Sequence, residues 1–142
     1  RDLSLSLVGS EMCIRDRATT VEAISSRQEY LGGAIVPGLG ISMRALEQNT
    51  ARLPKVEILR PAKACGRSTV ESIQSGLYWG HVGLIRELRN RIGTECFGAS
   101  EPVVVGTGGF AGLLAEAGLF SEVLPDLVLE GVRIAQEMNA KE

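Results

Sequence analysis

The sequence is poor in the residue types that identify several large classes of protein. Aromatic residues fill 4% of its 142 positions, and there is a single histidine. Basic residues (15) and acidic residues (17) nearly balance and are interspersed, so no basic stripe indicates a nucleic-acid partner. No apolar run is long enough to cross a bilayer, so we expect no membrane partner. The three cysteines share no C-x-x-C or Cys/His spacing, which argues against a disulfide framework or zinc site and favours a reducing cytoplasm.

What the chain does contain is aliphatic side chains and glycine. Hydrophobic residues make up 44% of the sequence and there are 17 glycines, which is typical of an α/β domain with tight turns. Residues 1–17 differ from the rest, because SLVGSEMCIRDR resembles a translated sequencing adapter. We therefore interpret residues 1–17 as a non-native segment, in which Cys13 has no functional weight, and residues 18–142 as the domain. A genuine but divergent N-terminal strand is the alternative.

The longest predicted element is a helix within residues 66–93. Ser68 and Glu71 fit an S/T-x-x-E capping box, so the helix is expected to begin near Thr69. Gly93 is the predicted C-cap. The glycines on a second face, Gly76, Gly80 and Gly83, are named here the glycine stripe. Each costs about 1 kcal/mol against alanine in a helix, and we interpret the stripe as room for another backbone.

The remaining pattern predicts alternating strands and helices. In chain order these are a β-hairpin with strands at 19–24 and 30–36, a helix over 41–53, a short extended segment at 56–59, a strand at 102–105, a glycine turn at 106–109, a helix over 110–118, an edge strand at 122–124, and a last helix over 127–139 with Asp126 as its N-cap.

Few residues suggest chemistry on their own. The glycine turn follows an apolar strand, where backbone N–H groups can meet a flat ring or a phosphate, but a purely structural turn fits equally well. Thr69 lies in the first turn of a helix, where a ligand oxygen or carboxylate is favoured; support of the helix cap is the alternative. His81 has no partner that completes a triad, so it is read as a satisfied helical histidine. Arginines 86, 89 and 91 are read as a solvated helix face.

Six segments in order resemble the C-terminal half of type III pantothenate kinase: ATTV (18–21), YLGGAIVPG (30–38), ARLP (51–54), GRSTVESIQSG (66–76), GTGG (106–109) and PDLVLEG (125–131). The resemblance implies a ribonuclease-H-like domain with a mixed sheet flanked by helices, as in the superfamily of acetate and sugar kinases, actin and heat-shock chaperones. It implies transfer of the ATP γ-phosphate to pantothenate, giving 4'-phosphopantothenate in the first step of coenzyme A synthesis. It also implies a homodimer, Mg2+ and a monovalent cation, K+ or NH4+.

The resemblance assigns site residues position by position. Thr69 matches a threonine that contacts pantothenate, although Ser68 replaces the usual asparagine before it. Gly108 and Gly109 match a pair that lies against the adenosine of ATP. Thr19 and Thr20, after Ala18, match the end of the second phosphate motif, Asp-x-Gly-Thr-Ala-Thr-Thr.

The same comparison shows where this sequence departs from the family. Ile14 stands in place of the cation-binding aspartate, Asp16 in place of the glycine, and Arg17 in place of the ATP-contacting threonine. The first phosphate loop and the Gly-x-Asp-Arg segment, whose aspartate is the general base, have no counterpart in the 142 residues. No catalytic residue is therefore assigned, and the chain is expected to be an inactive fragment.

Two other functions fit the sequence. One is a non-catalytic dimerisation or regulatory module, because relatives of this family have been named as accessory factors in transcription. The other is a different small-molecule kinase of the same superfamily, against which the Gly66–Thr69 motif argues.

Overall fold

A computed structural model describes residues 6–9, 17–49 and 53–140. Its elements in chain order are β1 (Ser6–Gly9), β2 (Ala18–Ile24), β3 (Tyr30–Pro37), α1 (Leu39–Asn49), α2 (Thr69–Phe97), β4 (Val104–Gly106), α3 (Ala111–Ala115), β5 (Glu122–Val123) and α4 (Leu127–Asn139). The strands form one sheet in the order β3-β2-β1-β4-β5. β1 pairs antiparallel with β2 and parallel with β4. The predicted mixed α/β class is thus confirmed.

The predicted hairpin is present as β2 and β3. These strands pair antiparallel from Ala18↔Pro37 to Ile24↔Tyr30, with an irregularity between Ala23 and Ile24. Gly33 of β3 pairs with Glu22 and must be glycine, because a Cβ at this position would lie 2.3 Å from the Val21 carbonyl oxygen.

Helix α2 begins at Thr69, as the capping box predicted. The Glu71 N–H donates to Ser68 Oγ (3.2 Å), and the Glu71 carboxylate accepts from the Arg67 N–H (2.6 Å). The predicted C-cap at Gly93 is wrong. The helix continues to Phe97 and is capped by Gly98, whose φ of 61° favours glycine and whose N–H donates to the Thr94 carbonyl.

The core lies between α2, α1, α3 and one face of β2. Burying a leucine or isoleucine side chain contributes about 1.5–3 kcal/mol, so each buried side chain of this core stabilises the fold. The fully buried members of the core include Val21, Leu39, Tyr78, Val82, Ile85, Leu114 and Leu119.

The remaining predictions have mixed outcomes. β5 lies at the sheet edge next to β4, as expected. Residues 56–59 form no strand, although Val56 is buried. Asp126 precedes α4, but its side chain makes no capping hydrogen bond, and no residue of α4 is buried.

Among the described residues, no helix is long and apolar enough to span a membrane.

The boundary drawn after residue 17 stays a prediction. β1 lies inside that segment, and it is the central strand that joins the β2–β3 hairpin to β4 and β5.

Candidate functional site

The register of the sheet brings two predicted site segments to the same end of the molecule. Thr20, near the start of β2, pairs with Gly9 at the end of β1. β1 runs parallel to β4, and Val8 pairs with Gly106 at the end of β4. The turn at 106–109 follows directly, so the start of β2 and the glycine turn lie on either side of β1 at the carboxyl ends of the parallel strands. Ligands of open α/β sheets bind at this kind of edge.

The glycine turn is held from both sides. Gly106 is buried against Phe120, whose ring atoms would lie 2.7 Å from an added Cβ. The Gly106 carbonyl accepts from the Leu124 N–H (2.8 Å), and the Gly108 carbonyl accepts from the Ala111 N–H (3.2 Å). The buried Thr107 points toward the Pro125 carbonyl. The turn is therefore a fixed platform.

The predicted adenosine contacts, Gly108 and Gly109, form the outer part of this platform. Gly108 has a φ of 89°, a conformation that favours glycine. Gly109 is exposed, and beyond its two chain neighbours no atom of the described residues lies within 4 Å of the place where its Cβ would be. The Gly109 backbone is thus open on that side, and the assignment of Gly108 and Gly109 to the adenosine stays a prediction.

The two predicted phosphate contacts, Thr19 and Thr20, point to opposite faces of the sheet, because successive residues of a strand alternate. Thr19 is buried, and its Oγ1 lies 2.9 Å from His81 Nε2 of α2. Thr20 is half-buried on the other face. Burial of His81 lowers the pKa of its imidazole and so favours the neutral ring. The reading of His81 as a satisfied helical histidine fits this contact.

Thr69 begins α2 at the rim of a groove. The preceding loop is fixed onto the helix, since Gln74 Nε2 donates to the Glu57 carbonyl (3.0 Å) and Ser75 Oγ donates to the Ala64 carbonyl. The Arg60 guanidinium also donates to Glu116 at the end of α3 (2.5 Å), which raises the pKa of Arg60 and ties the loop to the element after the glycine turn. Thr69 is exposed.

The groove itself is formed between α1 and the first turns of α2 and has a volume of about 1320 Å³. Its apolar wall comes from Pro37, Ile41, Leu46, Leu53, Ile73 and Leu77, and its polar rim from Arg67, Ser68, Thr69 and Ser72. Pro37 pairs with Ala18, so the groove opens at the same end of the sheet as Thr20 and the glycine turn.

The residues that stand where the family motif has its cation-binding aspartate, glycine and threonine do not support a cation site. Ile14 and Asp16 lie outside the described residues, and an isoleucine side chain offers no ligand atom in any case. Arg17 is exposed, and its carbonyl accepts from the Gly38 N–H (2.9 Å). Within residues 6–9, 17–49 and 53–140, no three His, Cys, Asp or Glu side chains are grouped to hold a metal ion.

Two features of the site escaped sequence reasoning. The groove needs α1 and α2 to pack against each other, and the apolar spacing of α1 was the only signal for this in the sequence. The Thr19–His81 pair joins residues 62 positions apart, and no local signal connects them. A lone histidine on the buried face of a predicted helix is the one clue that such a partner exists.

Comparison with known proteins places the sequence in one family. A family model described as type III pantothenate kinase matches residues 17–91. The chain is 52% identical over 122 residues to a type III pantothenate kinase of Legionella pneumophila (strain Paris), covering 86% of this chain and 48% of the relative. A type III pantothenate kinase of Dehalococcoides mccartyi (strain ATCC BAA-2266 / KCTC 15142 / 195) is 48% identical over 123 residues, covering 86% and 47%. The chain thus spans about half the length of the curated relatives it matches.

A solved structure shares the fold. A Campylobacter jejuni protein, described as a member of the Baf family of transcriptional activators, superimposes with a TM-score of 0.63 over 99% of this chain and 60% of its own. The two sequences are 20% identical, so this likeness concerns the fold alone.

Proposed function

Because this chain belongs to the type III pantothenate kinase family, we propose that it forms one side of a site that transfers the ATP γ-phosphate to pantothenate. The product is 4'-phosphopantothenate, with which coenzyme A synthesis begins. The observation that carries the proposal is the common location of three segments far apart in the chain. Thr20, the glycine turn and the Thr69 groove all open at one end of the sheet.

The nucleotide lies at the glycine turn in this proposal. Gly108 and Gly109 offer an open backbone to the adenosine, and the start of β2 faces the phosphates. Phosphoryl transfer depends on positioning and on neutralising the charge of the transferred group, and a rigid turn beside a rigid strand supplies the positioning.

Pantothenate lies in the groove, with Thr69 as its contact. The apolar wall suits the carbon chain of pantothenate, while the Thr69 hydroxyl and the free N–H groups of the first turn of α2 suit its polar groups. Arg67 adds a positive charge at the same rim.

Catalysis by residues 1–142 alone is not expected. Mg2+ and a monovalent cation, K+ or NH4+, would neutralise phosphate charge in the implied reaction, but the Ile14 side chain cannot ligate a cation. The sequence also holds no Gly-x-Asp-Arg segment to supply a base. The chain therefore binds and positions substrates without turning them over. In this proposal it is a cytoplasmic homodimer. Its fold is ribonuclease-H-like, which the strand order and the location of α2 support.

Substrate binding tests the proposal directly. Titration of the 142-residue chain with pantothenate and MgATP should give saturable binding of each and no phosphopantothenate in the presence of potassium. Replacing Thr69 by valine removes the hydroxyl and should weaken pantothenate binding about three- to tenfold, the effect of one lost hydrogen bond. Binding of MgATP should not change.

The matched control is Thr94→Val. Thr94 is an exposed threonine of the same helix, and its hydroxyl donates to the Asn90 carbonyl far from the groove. Equal pantothenate affinity in Thr69→Val and Thr94→Val would contradict the assigned groove, and turnover close to that of a full-length relative would contradict the inactive-fragment prediction.

The regulatory module is the competing function. The Campylobacter likeness supports only its fold, so no specific observation favours it. A chain that forms a dimer yet binds neither pantothenate nor MgATP would favour this alternative over the kinase.

A further inference from the structure

We propose that Thr19 and His81 form a buried clamp that positions Thr20 for the nucleotide phosphates, so that Thr19 is a positioning residue and Thr20 the contact. This inference rests on the proposed function. It gives different roles to two positions that are both threonine in the family motif.

The clamp is a side-chain contact across the interior of the molecule. Thr19 is 7% exposed, His81 is 6% exposed, and their polar atoms lie 2.9 Å apart. In the part of the chain that the structure describes, the other side-chain pairs joined by hydrogen bonds are all solvent-exposed. A buried hydroxyl or imidazole without a partner costs about 1–3 kcal/mol, so each group holds the other in place.

The geometry of β2 separates the roles of the two threonines. Thr19 pairs with Val36 and faces the core with Val21 and Ala23, whereas Thr20 pairs with Gly9 and Ile35 and faces away from α2. A nucleotide on the face of the sheet that points away from α2 can meet the side chain of Thr20 but not that of Thr19. The Thr19 hydroxyl is already committed to His81.

The clamp also connects the two substrate segments. Helix α2 carries Thr69 in its first turn and His81 three turns later, while β2 carries Thr19 and Thr20 at its start. The hydrogen bond fixes the strand against the helix close to the end where both substrates are proposed to bind. A small rotation of the start of β2 would turn Thr20 away from the phosphates, and the clamp opposes that rotation.

The experiment measures MgATP affinity in matched variants of the 142-residue chain. Thr19→Val keeps the shape of the side chain but removes its hydroxyl, and it should weaken MgATP binding about three- to tenfold. Thr19→Ser restores the hydroxyl and should return the affinity to within about twofold of the original. Pantothenate binding should be unchanged in both.

Two further measurements separate positioning from a general loss of stability. Ser75→Ala removes another buried hydroxyl of α2, the one bonded to the Ala64 carbonyl, and should leave MgATP affinity unchanged. The ¹⁵N signals of the His81 imidazole should show Nε2 in a hydrogen bond in the original chain and in Thr20→Val, and should shift in Thr19→Val.

Each failure has a distinct meaning. Equal MgATP affinity in the original chain and Thr19→Val would overturn the clamp alone, as would an imidazole Nε2 that makes no hydrogen bond, a result that needs no variant to fold. An original chain that binds no MgATP would overturn the proposed nucleotide site and the clamp with it.

Discussion

At the scale of single residues, the centre of the core holds an unpaired polar atom. Tyr78 is fully buried, with its ring in edge contact with Trp79 (4.9 Å between centroids), and its hydroxyl has no hydrogen-bond partner among the described residues. A buried hydroxyl without a partner lowers stability, while the ring itself contributes through packing.

We therefore predict that Tyr78→Phe keeps or raises the free energy of unfolding, by up to about 1 kcal/mol. Tyr78→Leu, which leaves part of the ring volume empty, should lower it by about 2–4 kcal/mol. Urea unfolding followed by circular dichroism measures both. A loss of stability in Tyr78→Phe similar to that in Tyr78→Leu would show that the hydroxyl is stabilising.

His81 makes stability depend on pH in a defined window. Burial lowers its pKa in the folded state, so as pH falls through about 6.5 the unfolded chain takes up a proton that the folded chain does not. The free energy of unfolding should therefore decrease as pH falls from 7.5 to 5.5, by at most about 1.4 kcal/mol per pH unit. Well above pH 6.5 His81 is neutral in the unfolded chain as well, and the effect vanishes.

Urea midpoints at pH 7.5 and 5.5 test this dependence. Because His81 is the one histidine in the sequence, His81→Phe should abolish most of the difference between the two midpoints. An unchanged difference in that variant would assign it to other groups.

At the scale of elements, the end of α2 differs between prediction and structure: the sequence places the C-cap at Gly93, and the structure places it at Gly98. Gly93 lies inside the helix, where an added Cβ would meet Pro102 at an ordinary 3.8 Å. Gly98 is the C-cap with φ 61° and ψ −120°, a conformation that side chains rarely adopt.

Gly93→Ala should thus leave stability unchanged or raise it by about 1 kcal/mol through helix propensity. Gly98→Ala should lower it by about 1–3 kcal/mol through backbone strain. Thermal unfolding of the pair gives the answer, and the reverse order of stabilities would mean that the helix ends at Gly93.

Helix α2 also shows which structural features could be predicted from the sequence and which could not. Its start was predictable because Ser68 and Glu71 are a local signal read within one turn. Its end was not, since both glycines lie among exposed and half-buried positions and only φ tells them apart. The hairpin and the glycine turn were likewise local, whereas the groove and the Thr19–His81 pair depend on how distant segments pack, which periodicity does not encode.

At the scale of the whole molecule, the glycine stripe bears on assembly. Gly76, Gly80 and Gly83 are exposed, and apart from the helix's own backbone no atom of the described residues lies within 4 Å of an added Cβ at any of them. Nothing within the described chain therefore uses the room that these glycines leave, and the proposed homodimer gives it an occupant.

Gly80→Leu should convert the dimer to a monomer in analytical ultracentrifugation, because the side chain would occupy the space proposed for the partner's backbone. Gly112→Leu is the matched control, since Gly112 is also an exposed helical glycine with open space at its Cβ. A dimer that survives Gly80→Leu would refute the stripe as the interface.

The central place of β1 has a consequence for the order in which the molecule forms. Leu7 pairs with Val105, about one hundred residues later in the chain, whereas β2 and β3 pair across a short turn. Closing so long a loop is entropically costly and slow compared with forming a hairpin or a helix. When the 142-residue chain folds, the hairpin and α2 can therefore assemble early, while the pairing of β1 with β4 forms later.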